Sequence, residues 1–129
     1  MDSLTLRLLE GQFAVARLAP DAAMPTWPDG EITSITRTPG ELSVVCAEAA
    51  VPADVQSSGG WRCLEVAGPL DFAEMGILSM LTGSLASAGV SVFAFSTFDT
   101  DYLMVRAPML DRAVTALEAA DCAVIEAAE

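Results

Sequence analysis

The stretch that most restricts the fold is Gly68–Arg106, GPLDFAEMGILSMLTGSLASAGVSVFAFSTFDTDYLMVR. Its pattern changes period twice. Apolar residues at Ile77, Met80, Leu81 and Leu85 recur at helical intervals, and Gly89 is a natural helix stop. Val90–Phe95 is then β-branched and aromatic, Ser96–Asp101 is polar, and Tyr102–Val105 resumes the apolar run. The spacing predicts a helix, a tight turn and two strands joined by a polar turn. Asp71 with Glu74 three residues on has the spacing of a capping box, which places Gly76 within the first turns of the helix. A glycine there permits close approach to N–H groups that lack intrahelical partners. It is equally compatible with plain helix packing.

The flanks extend the pattern. Trp61–Val66 reads as a strand with Trp61, Cys63 and Glu65 on one face and Arg62, Leu64 and Val66 on the other. Leu110–Ala120 has helical spacing at Leu110, Val114 and Leu117, and Cys122–Ile125 forms a last short strand. From residue 61 the order is therefore β, α, β, β, α, β, the ferredoxin-like arrangement of an α+β fold with both helices on one face of an antiparallel sheet.

The N-terminal half is strand-rich. Leu4–Leu9 and Phe13–Leu18 across Glu10–Gly11 predict a hairpin, and Ile32–Arg37 and Leu42–Cys46 predict two strands around the Pro39–Gly40 turn. Pro20–Gly30, with three prolines, is a loop in which Trp27 reads as a packed anchor, ahead of an exposed recognition residue. Pro52–Gln56 is a candidate short helix. Ser57–Gly60 is the most linker-like stretch, which divides the chain into units 1–58 and 59–129.

Composition excludes several functions. The formal net charge is −12 over 129 residues and all six basic residues are arginine, without a basic run. Nucleic acid and anionic membrane surfaces lack an electrostatic partner here. Histidine is absent, which removes the commonest metal ligand and general base. No metal, cofactor or catalytic residue is expected, and no nucleophile stands at a recognisable spacing from a base. Cys46, Cys63 and Cys122 are scattered among apolar neighbours and read as buried free thiols in a reducing, cytoplasmic setting. The start MDSLTLRLLEG has neither a basic region nor a long apolar core, so no signal peptide is expected. The apolar Gly76–Ala88 helix is too short to span a bilayer.

The run Phe93–Val105, with its Ser-Thr-Phe-Asp-Thr-Asp-Tyr centre, resembles ACT-domain proteins of the tandem type related to the animal arginine sensors (CASTOR) and to the regulatory domains of aspartate kinases. The resemblance extends through Gly68–Phe72, the Gly76-Ile77 helix start and Thr36–Val45, and so covers most of the chain. It implies an ACT unit in the C-terminal half and a degenerate ACT-like unit in the N-terminal half. It also implies a non-catalytic sensor that binds a small molecule, typically an amino acid, at a unit interface. The expected ligand-binding set is Phe72, Glu74, Met75, Gly76, Ile77, Ser96, Thr97, Phe98, Asp99, Thr100 and Asp101. N–H groups of Gly76 and Ile77 would serve a carboxylate, and the acids and hydroxyls an ammonium. Taken alone, Asp99 and Asp101 read as a solvated turn, and Phe72, Phe95 and Phe98 as core. The competing function is a ligand-free interaction module that pairs through its sheet edges, with a homodimer as one outcome.

Overall fold

Residues 4–67 and 76–126 are described by the structure, a computed structural model. Two compact units divide it: Met1–Glu10 with Arg62–Glu129, and Gly11–Trp61.

The first unit contains β1 (Thr5–Leu8), the second half of β5 (Gln56–Val66), α1 (Ile77–Ser87), β6 (Phe93–Ser96), β7 (Asp101–Arg106), α2 (Leu110–Ala119) and β8 (Ala123–Glu126). β5, α1, β6, β7, α2 and β8 form the expected βαββαβ order. The strand order in this unit is β6, β7, β5, β1, β8. An extra strand from the N-terminus thus lies between the first and last strands of the ferredoxin-like unit. β1 is antiparallel to β5, with Leu6 opposite Val66 and Arg7 opposite Glu65, and parallel to β8, with Leu6 opposite Val124.

The hairpin expected of β1 and the next strand does not form. β1 carries Leu6 into the core of this unit, where it is 0% exposed with Leu64, Val66, Leu81, Leu85, Leu103, Val105, Ala113 and Leu117. Strand alternation puts Leu64 with Val66 and Leu103 with Val105 on one face, and four-residue spacing brings Leu81 with Leu85 and Ala113 with Leu117 onto it. Burial of Leu6 against this set outweighs the local turn at Gly11, where φ is 77° and a Cβ would meet nothing within 4 Å. Ile77 packs half-buried at the margin of the core, Val114 is half-buried and Met80 is exposed.

The second unit is an antiparallel sheet in the order β3 (Ser34–Arg37), β4 (Leu42–Ala47), β2 (Phe13–Leu18) and the first half of β5. Ala16, Val44 and Cys46 are buried in it, with Trp27, Ala50, Val51 and Val55 packed against them. Trp27 is thus a packing anchor. Arg37 ties the proline-rich loop to the sheet by donating to the Pro20 and Ala22 carbonyls.

Two local expectations change. Pro52–Gln56 is a turn closed by Val55 N–H to the Pro52 carbonyl at 3.1 Å, not a helix; the short 3-10 turn lies earlier, at Glu48–Ala50. Ser57–Gly60 is no linker but the body of β5. Between Phe13 and Val15 the register shifts by a bulge, and Gly60 at φ 78° donates its N–H to Glu48 Oε1 at 2.5 Å. A side chain at Gly59 would collide with the Glu48 carboxylate, its first carbon 2.9 Å from Cδ. The two glycines serve close approach within a strand rather than chain mobility.

Candidate functional site

The site grows from the β6–β7 hairpin. Ser96 pairs with Asp101 and Phe95 with Tyr102, leaving residues 97–100 as the turn. The Thr97 N–H donates to the Thr100 carbonyl at 2.8 Å and closes it. The Thr100 hydroxyl, in a residue only 7% exposed, donates to the Val66 carbonyl at 2.6 Å. That bond pins the turn to the end of β5. Asp101 Oδ1 accepts from the Ser96 hydroxyl at 2.5 Å, so this acid stabilises the hairpin.

Beside the turn is a cavity of about 360 Å³ lined by Arg7, Glu65, Ala67, Thr97, Asp99, Thr100 and Tyr102. Strand pleating explains its chemistry. Arg7, Glu65 and Tyr102 alternate with Leu6, Leu64 and Leu103, so the core takes the leucines and the opposite face takes the polar groups. The β1–β5 register sets Arg7 opposite Glu65, and Arg7 Nη2 lies 2.7 Å from Glu65 Oε1. The Tyr102 hydroxyl donates to Glu65 Oε2 at 2.9 Å, and its ring stacks on Phe95 with centroids 5.2 Å apart. Burial, then the bond to Glu65 and its negative charge, push the Tyr102 phenol up to about 12, so it remains a donor at neutral pH. Among the described residues one guanidinium and two carboxylates face the cavity, a net negative wall suited to a ligand bearing an ammonium.

Of the expected ligand set, Thr97, Asp99 and Thr100 line this cavity together. Ser96 and Asp101 pair with each other beneath the turn, and Phe98 is 81% exposed, contrary to the core reading of that ring. Phe95 is half-buried on the strand face. Gly76 does not sit inside the helix. It is the N-cap of α1 in the left-handed region, φ 81°, and Ile77 is the first helical residue. Neither lines the cavity. Phe72, Glu74 and Met75, and the Asp71–Glu74 capping box, lie outside the described residues. Arg7, Glu65, Ala67 and Tyr102 line the cavity without belonging to the expected set. Their signal is a polar residue alternating with buried apolar ones, but only the β1–β5 pairing shows that Arg7 meets Glu65.

Among the described residues no cluster of His, Cys, Asp or Glu could hold a metal ion, and no helix is long and apolar enough to cross a membrane.

A family model described as ACT domain matches residues 56–119, and a second, described as an N-terminal domain, matches residues 11–54. Residues 56–119, the C-terminal half of the chain, thus belong to the ACT-domain family. Among curated proteins it is similar to the cytosolic arginine sensor for mTORC1 subunit 1 of Pongo abelii, 30% identical over 115 residues, which is 81% of this chain and 35% of that protein. The chain thus spans about a third of the length of that relative. Among solved structures it is similar to an Agobacterium tumefaciens protein at 36% identity, with a TM-score of 0.92 over 100% of this chain and 97% of that one. The regulatory subunit of aspartate kinase from Thermus thermophilus shares the fold at 12% identity, with a TM-score of 0.59 over 92% of this chain and 99% of that one.

Proposed function

We propose that this chain is a non-catalytic regulatory module that binds a small ammonium-bearing ligand, an amino acid foremost, in the cavity beside the Thr97–Thr100 turn. The observation that carries the proposal is the enclosure of Thr97, Asp99 and Thr100 with the Arg7–Glu65–Tyr102 array around one cavity. Asp99 and Glu65 receive the ammonium, and Arg7 orients the ligand carboxylate. ACT-family membership supports this, as does similarity to a protein named as an arginine sensor. Three buried free thiols fit a reducing, cytoplasmic setting. Thermal denaturation with each amino acid tests the proposal, because specific binding raises the melting temperature by mass action.

A second reading rests on the sheet edges. β6 and β8 each pair with one described neighbour, and Ile125 on β8 is 49% exposed. An edge of this kind can add a strand from a second copy or a partner. Concentration-dependent dimerisation without any response to amino acids would favour that reading.

A further inference from the structure

A larger cavity, about 660 Å³, lies elsewhere in the first unit, between α2, β8 and the start of the unit's share of β5. Arg62 lines it from a position that strand alternation assigns to the core face, with Leu64 and Val66, both 0% exposed. Among the described residues the buried Arg62 Nε has no hydrogen-bond partner, and Nη2 donates to the Leu9 carbonyl at 3.4 Å. The unpaired Nε is costly, since a buried donor has lost water without gaining an acceptor, while the rest of the half-buried guanidinium faces the cavity. Asp111 and Glu126 also line the cavity, yet among the described residues neither forms an ion pair with Arg62. Leu110, Val114 and Val124 supply an apolar wall.

We propose that this cavity is a second binding site, for a small zwitterion with an aliphatic body. A simple anion would meet two carboxylates there and a simple cation would meet the guanidinium. A molecule carrying both charges answers both: its carboxylate pairs with Arg62, its ammonium with Asp111 and Glu126, and its aliphatic part covers Leu110, Val114 and Val124. The site shares no lining residue with the cavity beside the hairpin, so either can exist without the other.

The test is titration of isotopically labelled protein with L-leucine, following the amide signals of Thr115 and Val124 for this site and of Thr97 and Thr100 for the hairpin site. Isocaproate, which lacks the ammonium, and isoamylamine, which lacks the carboxylate, serve as matched probes. Leucine is expected to shift Thr115 and Val124 saturably, and each single-charge probe to bind about tenfold more weakly or worse, the loss expected for one charge-assisted contact. Arg62→Gln and Asp111→Asn should each weaken leucine binding by a similar factor. Arg62→Met should lose the binding while the ligand-free melting temperature holds or rises, because it removes an unsatisfied donor. The proposal is overturned by the absence of a saturable shift at Thr115 and Val124, by equal binding of leucine and either probe, or by wild-type affinity in both Arg62→Gln and Asp111→Asn. A lower melting temperature in Arg62→Met would also overturn it, by showing Arg62 to be structural.

Discussion

Tyr102 and Glu65 are joined by a 2.9 Å hydrogen bond from the phenol hydroxyl to Oε2, and the other oxygen of the same carboxylate lies 2.7 Å from Arg7 Nη2. Glu65 therefore organises the polar wall of the hairpin-side cavity from the centre of the sheet.

That arrangement predicts an anomalous titration. Tyr102 is the one tyrosine in the chain, so tyrosinate absorbance reports it alone. Its pKa is raised from 10.0 to about 12, so the folded state holds the proton more tightly than the unfolded state. The associated stability is fully present below pH 10 and is lost as pH rises through about 12. Titration in the native protein near pH 10 would contradict the half-buried Tyr102–Glu65 contact. Tyr102→Phe should remove this part of the alkaline destabilisation.

The core predicts a large cavity effect. Leu81 is 0% exposed among Leu64, Val66 and Leu117, so Leu81→Ala should cost about 2–5 kcal/mol in urea unfolding. A loss under about 1 kcal/mol would mean that α1 does not pack on the sheet through this residue.

Glycine geometry separates two superficially similar turns. Gly30, at φ 120°, would place a side-chain carbon 2.8 Å from Ala47 Cβ, whereas Gly11, at φ 77°, has open space. Gly30→Ala should therefore destabilise the chain by more than Gly11→Ala, which carries only the left-handed strain of about 1–2 kcal/mol. Equal unfolding midpoints in the two variants would contradict the close approach of residue 30 to Ala47.

The thiols predict slow chemistry. Cys46, Cys63 and Cys122 are free and buried, and burial raises the pKa of Cys46 and Cys122 above the ordinary thiol value. A thiol reagent should modify all three only on unfolding in urea. Rapid labelling of the native chain would contradict their burial.

Much of this is legible in the residues. Helical spacing at Leu81 and Leu85 and alternation around Leu64 and Leu103 define the βαββαβ unit, and the polar Ser96–Asp101 run marks the hairpin that carries Thr97, Asp99 and Thr100. What local patterns do not contain is pairing over long separation. Leu4–Leu9 has the alternation of any hairpin arm, yet β1 pairs with β5 more than fifty residues away, as the Arg7–Glu65 bond with its separation of 58 shows. The Arg7 wall of the hairpin-side cavity depends on that pairing. Ser57–Gly60 misleads in the opposite direction, since the composition of a flexible linker here serves a bulge closed by Glu48.

The proposed regulatory function is tested most directly by calorimetric titration of the wild type and Asp99→Asn with each amino acid. The wild type should bind at least one amino acid with measurable heat. Asp99→Asn should bind it about tenfold more weakly while keeping the wild-type melting temperature, since Asp99 is an exposed residue of a turn held by Thr97 and Thr100. No heat with any amino acid, or equal affinity in the two proteins, would contradict an ammonium site beside the turn.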